Sequence, residues 1–206
     1  MPTKRERTDQ PVAKATAPTP TPVRRLRRAE RREQLLAAAT QAFARGGFAA
    51  TSLDDIAEQA GISRVLLYRH FDSKTDLYRA VLDRAIGRLT AAVGTRDYTY
   101  ASIDALLGAA AEDPDGFRLL FHHAAREPEF RQQMDRFHRG MVATARRELA
   151  RVIDDRAWAQ WAAQLAPVVA IEAVMAWLDA GQPDPDRAAD RVRQALAGVV
   201  SAAQQP

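Results

Sequence analysis

The side chains best suited to bind an anion are concentrated in residues 60–81, AGISRVLLYRHFDSKTDLYRAV. Arg64 can donate two hydrogen bonds to the edge of a guanine base. The Tyr68 hydroxyl and a ring N–H of His70 suit phosphate oxygens, which position a protein on nucleic acid without reading its sequence. Lys74 stands where a helix is predicted to begin, so exposed backbone N–H groups add to its charge as an anion site. These types and spacings indicate a surface that binds a polyanion.

A second group of polar side chains resembles a set of metal ligands, namely His122, His123, Glu127, Asp135 and His138. The spacing does not support such a site. The sequence has no HExxH pair, no glycine-rich phosphate loop and no Gly-x-Ser-x-Gly turn, and no third ligand stands at a recognisable interval. We therefore expect no metal, no other cofactor and no enzyme activity.

The composition favours an all-α protein. The chain has 206 residues, of which 47% are hydrophobic, and alanine is abundant while β-branched clusters are few. The absence of cysteine excludes disulfides, thiolate zinc sites and cysteine nucleophiles. No apolar run approaches the roughly 18 uncharged residues typical of a membrane span, so we expect a soluble cytoplasmic protein without a membrane partner.

The charge is distributed unevenly. The whole chain carries +4, but residues 1–32 hold ten Lys and Arg against three Asp and Glu, so the remainder carries −3. Residues 1–26 are polar and proline-rich, which predicts a disordered basic arm. The arm is either a solubilising leader or an incorrectly assigned start, or it is a DNA contact in which Arg24, Arg25, Arg27 and Arg28 enter a minor groove.

Three helices are predicted within residues 27–72. The first runs from about Arg27 to Arg45 and ends at a Gly-Gly pair, and the second begins after a Ser52 N-cap. Gly61 separates it from a third helix capped by Ser63, and this order is that of a helix-turn-helix. The second helix of that motif, here the third helix of the segment, reaches base edges in the major groove of DNA with its N-terminal end.

A family resemblance rests on a longer string of residues. The segment TSLDDIAEQAGISRVLLYRHFDSKTDLYRAVL, preceded by LLAAATQAFARGGF, resembles the DNA-binding domain of TetR-family transcriptional regulators. The resemblance covers about residues 33–82. It implies that Tyr68, His70 and Lys74 hold phosphates and that Ser52, Ser63, Arg64 and Leu66 approach the groove. Many members carry a hydroxyl where this chain has Leu66, which can instead touch a thymine methyl.

Residues 73–206 are predicted to form a helical ligand-binding and dimerisation domain. The resemblance implies a homodimer, built on the last two long helices, that binds a palindromic operator in double-stranded DNA. Apolar residues of the predicted interface are Ile171, Met175, Leu178, Val192, Leu196 and Val199. The same pattern also fits a core within one chain. Pro167 either kinks a long helix or separates two helices.

An aromatic and methionine stripe suggests a ligand pocket, although such a stripe also fits plain core. The candidates are Phe117, Phe121, Met134, Phe137, Trp158 and Trp161. The resemblance then implies a repressor that a small apolar molecule releases from DNA. The alternative is a DNA-binding regulator of the same fold that responds to a protein partner or to no ligand.

Overall fold

We describe residues 28–205 of a computed structural model, in which these residues form helices and connecting loops and no strand. The N-terminal part contains α1 (Arg28–Ala50), α2 (Leu53–Gln59) and α3 (Arg64–Tyr68), followed by the long helix α4 (Lys74–Val93). The all-α fold class predicted from composition is confirmed. The predicted basic arm, residues 1–26, lies outside the described residues.

Local sequence signals set the boundaries of α1, α2 and α3. Regular helix in α1 is interrupted at Gly47, whose φ of 71° is readily adopted by glycine. Ser52 and Asp55 form a reciprocal capping box at the start of α2, with Ser52 Oγ accepting from Asp55 N and an Asp55 carboxylate oxygen accepting from Ser52 N. Gly61, with a φ of 63°, turns the chain between α2 and α3.

The body contains five further α-helices joined to α4. They are α5 (Ala101–Glu112), α6 (Pro114–Arg118), α7 (Arg131–Leu149), α8 (Arg156–Asp179) and α9 (Pro185–Gln204). The segment after α6 is irregular, because a π-helical turn spans Leu119–His123 and 3₁₀ turns follow at Ala124–Arg126 and Pro128–Phe130. Glu127 is extended, as the residue before a proline usually is.

Helix α8 contains Pro167 within one continuous span, so this proline does not separate two helices. By length and composition α8 is also apolar enough to cross a membrane, with a mean hydropathy of 1.5 over its most apolar window. Its charged residues are Arg156, Glu172 and Asp179, so its uncharged run, residues 157–171, is shorter than the roughly 18 residues typical of a membrane span. Packing of α8 against both α7 and α9 is typical of a core helix.

One hydrophobic core runs from the N-terminal helices into the body. It includes Phe43 of α1, Ile56 of α2, Leu67 of α3, Leu82 of α4 and Val174 of α8. Ion pairs add a second connection, since Arg84 of α4 pairs with Glu33 of α1 at 2.6 Å and with Asp113 at 3.2 Å. The N-terminal helices are therefore packed directly on the body.

Candidate functional site

The exposed face of α3 carries side chains that were predicted from the sequence to contact nucleic acid. Leu67 is buried, with 1% of its surface exposed, and it anchors α3 on the core. Arg64, Val65, Tyr68 and Arg69 are exposed and lie at helical neighbour positions on the opposite side. Among these, Val65 and Arg69 were not predicted as contacts. Leu66 is half-buried, so it is only partly available to a ligand.

Ser52 and Ser63 occupy the two N-cap positions of the helix-turn-helix. Ser52 Oγ accepts a hydrogen bond from Asp55 N at 3.1 Å, and Ser63 Oγ accepts one from Leu66 N at 3.3 Å. A hydroxyl that accepts such a bond keeps its own proton as a donor. Both serines therefore fix the helix starts and remain able to donate to an external oxygen.

Arg64 already has partners in the free protein. Its NH1 pairs with Asp54 Oδ2 of α2 at 3.1 Å, and its guanidinium lies 5.6 Å from the ring centroid of Tyr68. Both members of the ion pair are more than half exposed, and such a pair contributes at most about 1 kcal/mol. Arg64 can therefore leave Asp54 and bind another acceptor at a small cost in free energy.

His70 lies beside the basic N-terminal turns of α1. Burial lowers the pKa of His70, and the nearby charges of Arg28, Arg32 and Arg31 lower it further. Arg28 was predicted as a contact and is exposed, whereas Arg31 and Arg32 were missed because only folding brings α1 next to the end of α3. Arg24, Arg25 and Arg27 of the same prediction lie outside the described residues.

Lys74 is directed toward the backbone of its own chain. Its ammonium donates to the carbonyl oxygens of Phe48, Thr51 and Ala49 at 2.8, 3.1 and 3.3 Å, and it lies 4.6 Å from the ring centroid of Phe48. An ammonium group has three N–H donors, and three acceptors surround this one. Lys74 thus joins the start of α4 to the α1–α2 turn, and a phosphate could bind it only by displacing these carbonyls.

A cavity of about 470 Å³ lies in the body, between α4, α5, α7, α8 and α9 and the loop around Tyr98. Phe121 lines it from the π-helical turn, and Phe137 and Met141 line it from α7. The contribution from Tyr98 could not be predicted from the sequence, because this loop reaches α7 only in the folded chain. Burial raises the pKa of Tyr98.

Four residues predicted to line a pocket do not border this cavity. Phe117 and Met134 are buried in the core, and Phe117 borders a separate cavity of about 390 Å³. Trp158 and Trp161 are on the outer surface of α8, 47% and 41% exposed. Helix α8 is apolar on several sides, so its pattern does not indicate which side faces the interior.

The residues predicted to form a dimer interface pack within one chain. The buried residues Ile171, Met175, Leu178 and Val192 belong to the main core, and Leu196 packs against it. Val199 is buried in a second, smaller cluster. Packing within one chain favours the alternative, an intrachain core, since these side chains already have partners there. The described residues contain no group of three or more His, Asp or Glu side chains that could hold a metal ion.

Comparison with known proteins identifies the segment that contains this surface. Residues 35–81 match the family model described as bacterial regulatory proteins, tetR family. A relative from Mycolicibacterium smegmatis, the HTH-type transcriptional activator FasR, is 39% identical over 107 residues. This segment carries the DNA-binding region of the TetR family. The predicted resemblance is confirmed over that segment, and the relatives and structural neighbours are named as regulators of transcription.

The match to these relatives covers only part of each protein. The FasR alignment covers 48% of this chain and 49% of FasR. The HTH-type transcriptional repressor KstR2 of Rhodococcus jostii is 37% identical over 41% of this chain and 44% of its own. A TetR-like regulator from Rhodococcus sp. RHA1 has the same fold, with a TM-score of 0.69 and 23% identity over 84% of this chain and 96% of that one. The chain thus spans about half the length of the curated relatives it matches, and the shared fold extends further.

Proposed function

We propose that this chain is a sequence-specific DNA-binding regulator of transcription whose DNA affinity is set by a small, mainly apolar molecule in the 470 Å³ cavity. The observation that carries the proposal is the exposed α3, which is anchored by Leu67 and presents Arg64 and Tyr68 on its outer side. As in other helix-turn-helix proteins, α3 would enter the major groove.

The proposed DNA contacts fall into two classes. Arg64 would read a base edge, since a guanidinium can donate two parallel hydrogen bonds to guanine. The hydroxyls of Ser52, Ser63 and Tyr68 and the ring of His70 would contact phosphates, which fix position and orientation. Leu66 would contribute an apolar contact where it is exposed. The predicted basic arm is also proposed to contact DNA, because it precedes α1 at the end where Arg28 lies beside His70.

Two copies of the chain would bind a palindromic operator, and the exposed face of α8 and α9 suits their association. Trp161 and Val168 on α8 are 41% and 43% exposed, and Ala195, Gly198 and Ala202 leave the outer side of α9 without bulky side chains. Small residues allow two helices to approach closely. A C2 dimer built on this face would place the two α3 helices on successive turns of DNA.

Helix α4 is suited to connect the cavity with α3. It begins at Lys74, beside the α1–α2 turn, and Leu89, Thr90 and Val93 near its other end line the cavity. Its 20 residues span about 30 Å at 1.5 Å per residue. A molecule that displaces the C-terminal end of α4 would therefore move the N-terminal end and change the spacing between the two α3 helices.

The cavity favours a ligand-responsive regulator over the alternative that responds to a protein partner or to no ligand. A wall composed largely of apolar side chains around a volume of this size is typical of small-molecule sites. Repression is our proposal for the sign of regulation, although one relative is named an activator and another a repressor. A cytoplasmic location follows from a role on DNA.

A gel-shift titration tests the proposal. The purified full-length protein should retard the DNA upstream of its own gene at concentrations that leave unrelated DNA of equal length unbound. A ligand found by thermal shift should raise the melting temperature and release that DNA. Equal retardation of both DNAs would contradict the sequence-specific function.

A further inference from the structure

Three hydroxyl groups in the wall of the 470 Å³ cavity already have hydrogen-bond partners. The hydroxyls of Thr90, Ser102 and Thr144 donate to the carbonyl oxygens of Ile86, Val93 and Thr95 at 2.8, 3.4 and 2.9 Å. These groups therefore have no proton left to offer a ligand. The large side chains Phe121, Phe137, Met141 and Leu149 make much of the remaining wall apolar.

Glu148 carries the one buried side-chain oxygen of the cavity wall that has no hydrogen-bond partner among the described residues. It lies in the last turn of α7, and its side chain is 20% exposed. Glu148 Oε2 accepts from Arg151 NH1 at 2.5 Å, but Oε1 is buried and no donor among the described residues reaches it. A buried carboxylate oxygen without a donor is destabilising. The last torsion of a glutamate is soft, so a small rotation can turn this oxygen toward the cavity.

A second charged side chain of the wall, Arg136, is less suited to hold a ligand. It precedes Glu148 by 12 residues on α7, which separates the two by about 18 Å along the helix. Arg136 is exposed, so its guanidinium is hydrated and gains little from an added anion. A donor placed against the buried Glu148 oxygen, by contrast, satisfies a group that has no other partner.

We infer that the cavity binds an amphipathic amine, whose apolar body packs against Phe121, Phe137 and Met141 while its protonated amino group donates to Glu148. The inference rests on the proposed function, because it takes the cavity to be the effector site. It adds the chemical class of the effector, a cation with an apolar body, to the apolar character that the sequence suggested. Hydrogen bonds to a charged acceptor are the strong ones, so this contact would also determine selectivity.

Calorimetric titration of the full-length protein with decylamine, decanol and decanoate at pH 7 tests the inference. The three probes share one chain and differ in the head group. We expect decylamine to bind at least tenfold more tightly than decanol, and decanoate to bind most weakly. The isosteric variant Glu148→Gln should remove the advantage of decylamine and leave decanol binding unchanged, which also shows that the cavity is intact. Glu112→Gln, an exposed position outside this cavity, should behave as the unsubstituted protein.

Gel shifts with the same probes separate the inference from the function on which it rests. If the three probes bind equally, or if Glu148→Gln binds decylamine as before, the amine assignment is wrong. Release of DNA by decanol or decanoate in that case would leave the ligand-responsive function standing. If no probe binds, the amine assignment fails, and a wider thermal-shift screen then decides the fate of the proposed function.

Discussion

Replacement of Lys74 by methionine separates two roles that the sequence could not distinguish. Methionine keeps an unbranched apolar side chain and removes the ammonium, which donates to three backbone carbonyls. The Phe48 and Thr51 bonds are partly buried and contribute roughly 1 kcal/mol each, whereas the exposed Ala49 bond contributes little. We expect a loss of about 2 kcal/mol in unfolding free energy, or about 4–8 °C in melting temperature for a chain of this length.

The salt dependence of DNA binding provides the discriminating assay. A side chain that neutralises a phosphate contributes about one unit per subunit to the slope of log affinity against log salt. Lys74→Met should leave that slope unchanged, because its charge is committed to the backbone. Arg69→Gln is the matched control, because Arg69 is an exposed cation at the C-terminal end of α3 without a partner among the described residues. This variant should lower the slope without lowering the melting temperature. A lower slope and an unchanged melting temperature for Lys74→Met would refute the reasoning and establish a phosphate contact.

Three further changes test other parts of the account. The pKa of His70 is lowered, so folding stability should decrease as pH falls below about 6.5, where the unfolded chain takes up the proton first. A phosphate would raise that pKa, so DNA affinity should increase from pH 8 to pH 6. His70→Gln should weaken the stability trend in denaturation titrations, where His123 with its own lowered pKa still contributes, and should abolish the affinity trend in anisotropy titrations. Gly61→Ala has open space for its methyl group but must adopt a φ of 63°, so calorimetry should show a loss of about 1 kcal/mol; no loss would contradict the turn geometry. Val168→Glu should shift sedimentation from dimer to monomer while Ala111→Glu on α5 does not, and two dimeric variants would contradict the proposed interface.

Features that depend on neighbouring residues could be predicted from the sequence. The Ser52 cap, the Gly61 turn and the start of α4 at Lys74 each follow from a few adjacent side chains and the backbone conformations that these allow. The order of helices in the N-terminal region follows from such signals. For the same reason the exposed positions Arg64 and Tyr68 were identified before the fold was known.

Features that depend on contacts distant in sequence could not be predicted. The ammonium of Lys74 meets carbonyls 23 to 26 positions earlier, and no local pattern reports that contact. Helix α8 is apolar on nearly every side, so periodicity could not separate the buried Met175 from the exposed Trp161. The cavity is completed by a loop, including Tyr98, whose approach to α7 is determined by tertiary packing.

The relative affinity of Arg64→Ala for specific and random DNA tests the central claim most directly. The claim is that α3 presents Arg64 to a base edge in the major groove. Anisotropy titrations at one fixed salt concentration should show that the variant loses about 1–3 kcal/mol on the upstream DNA and much less on random DNA, so that the ratio of the two affinities falls. An equal loss on both DNAs, or no loss on either, would contradict the claim.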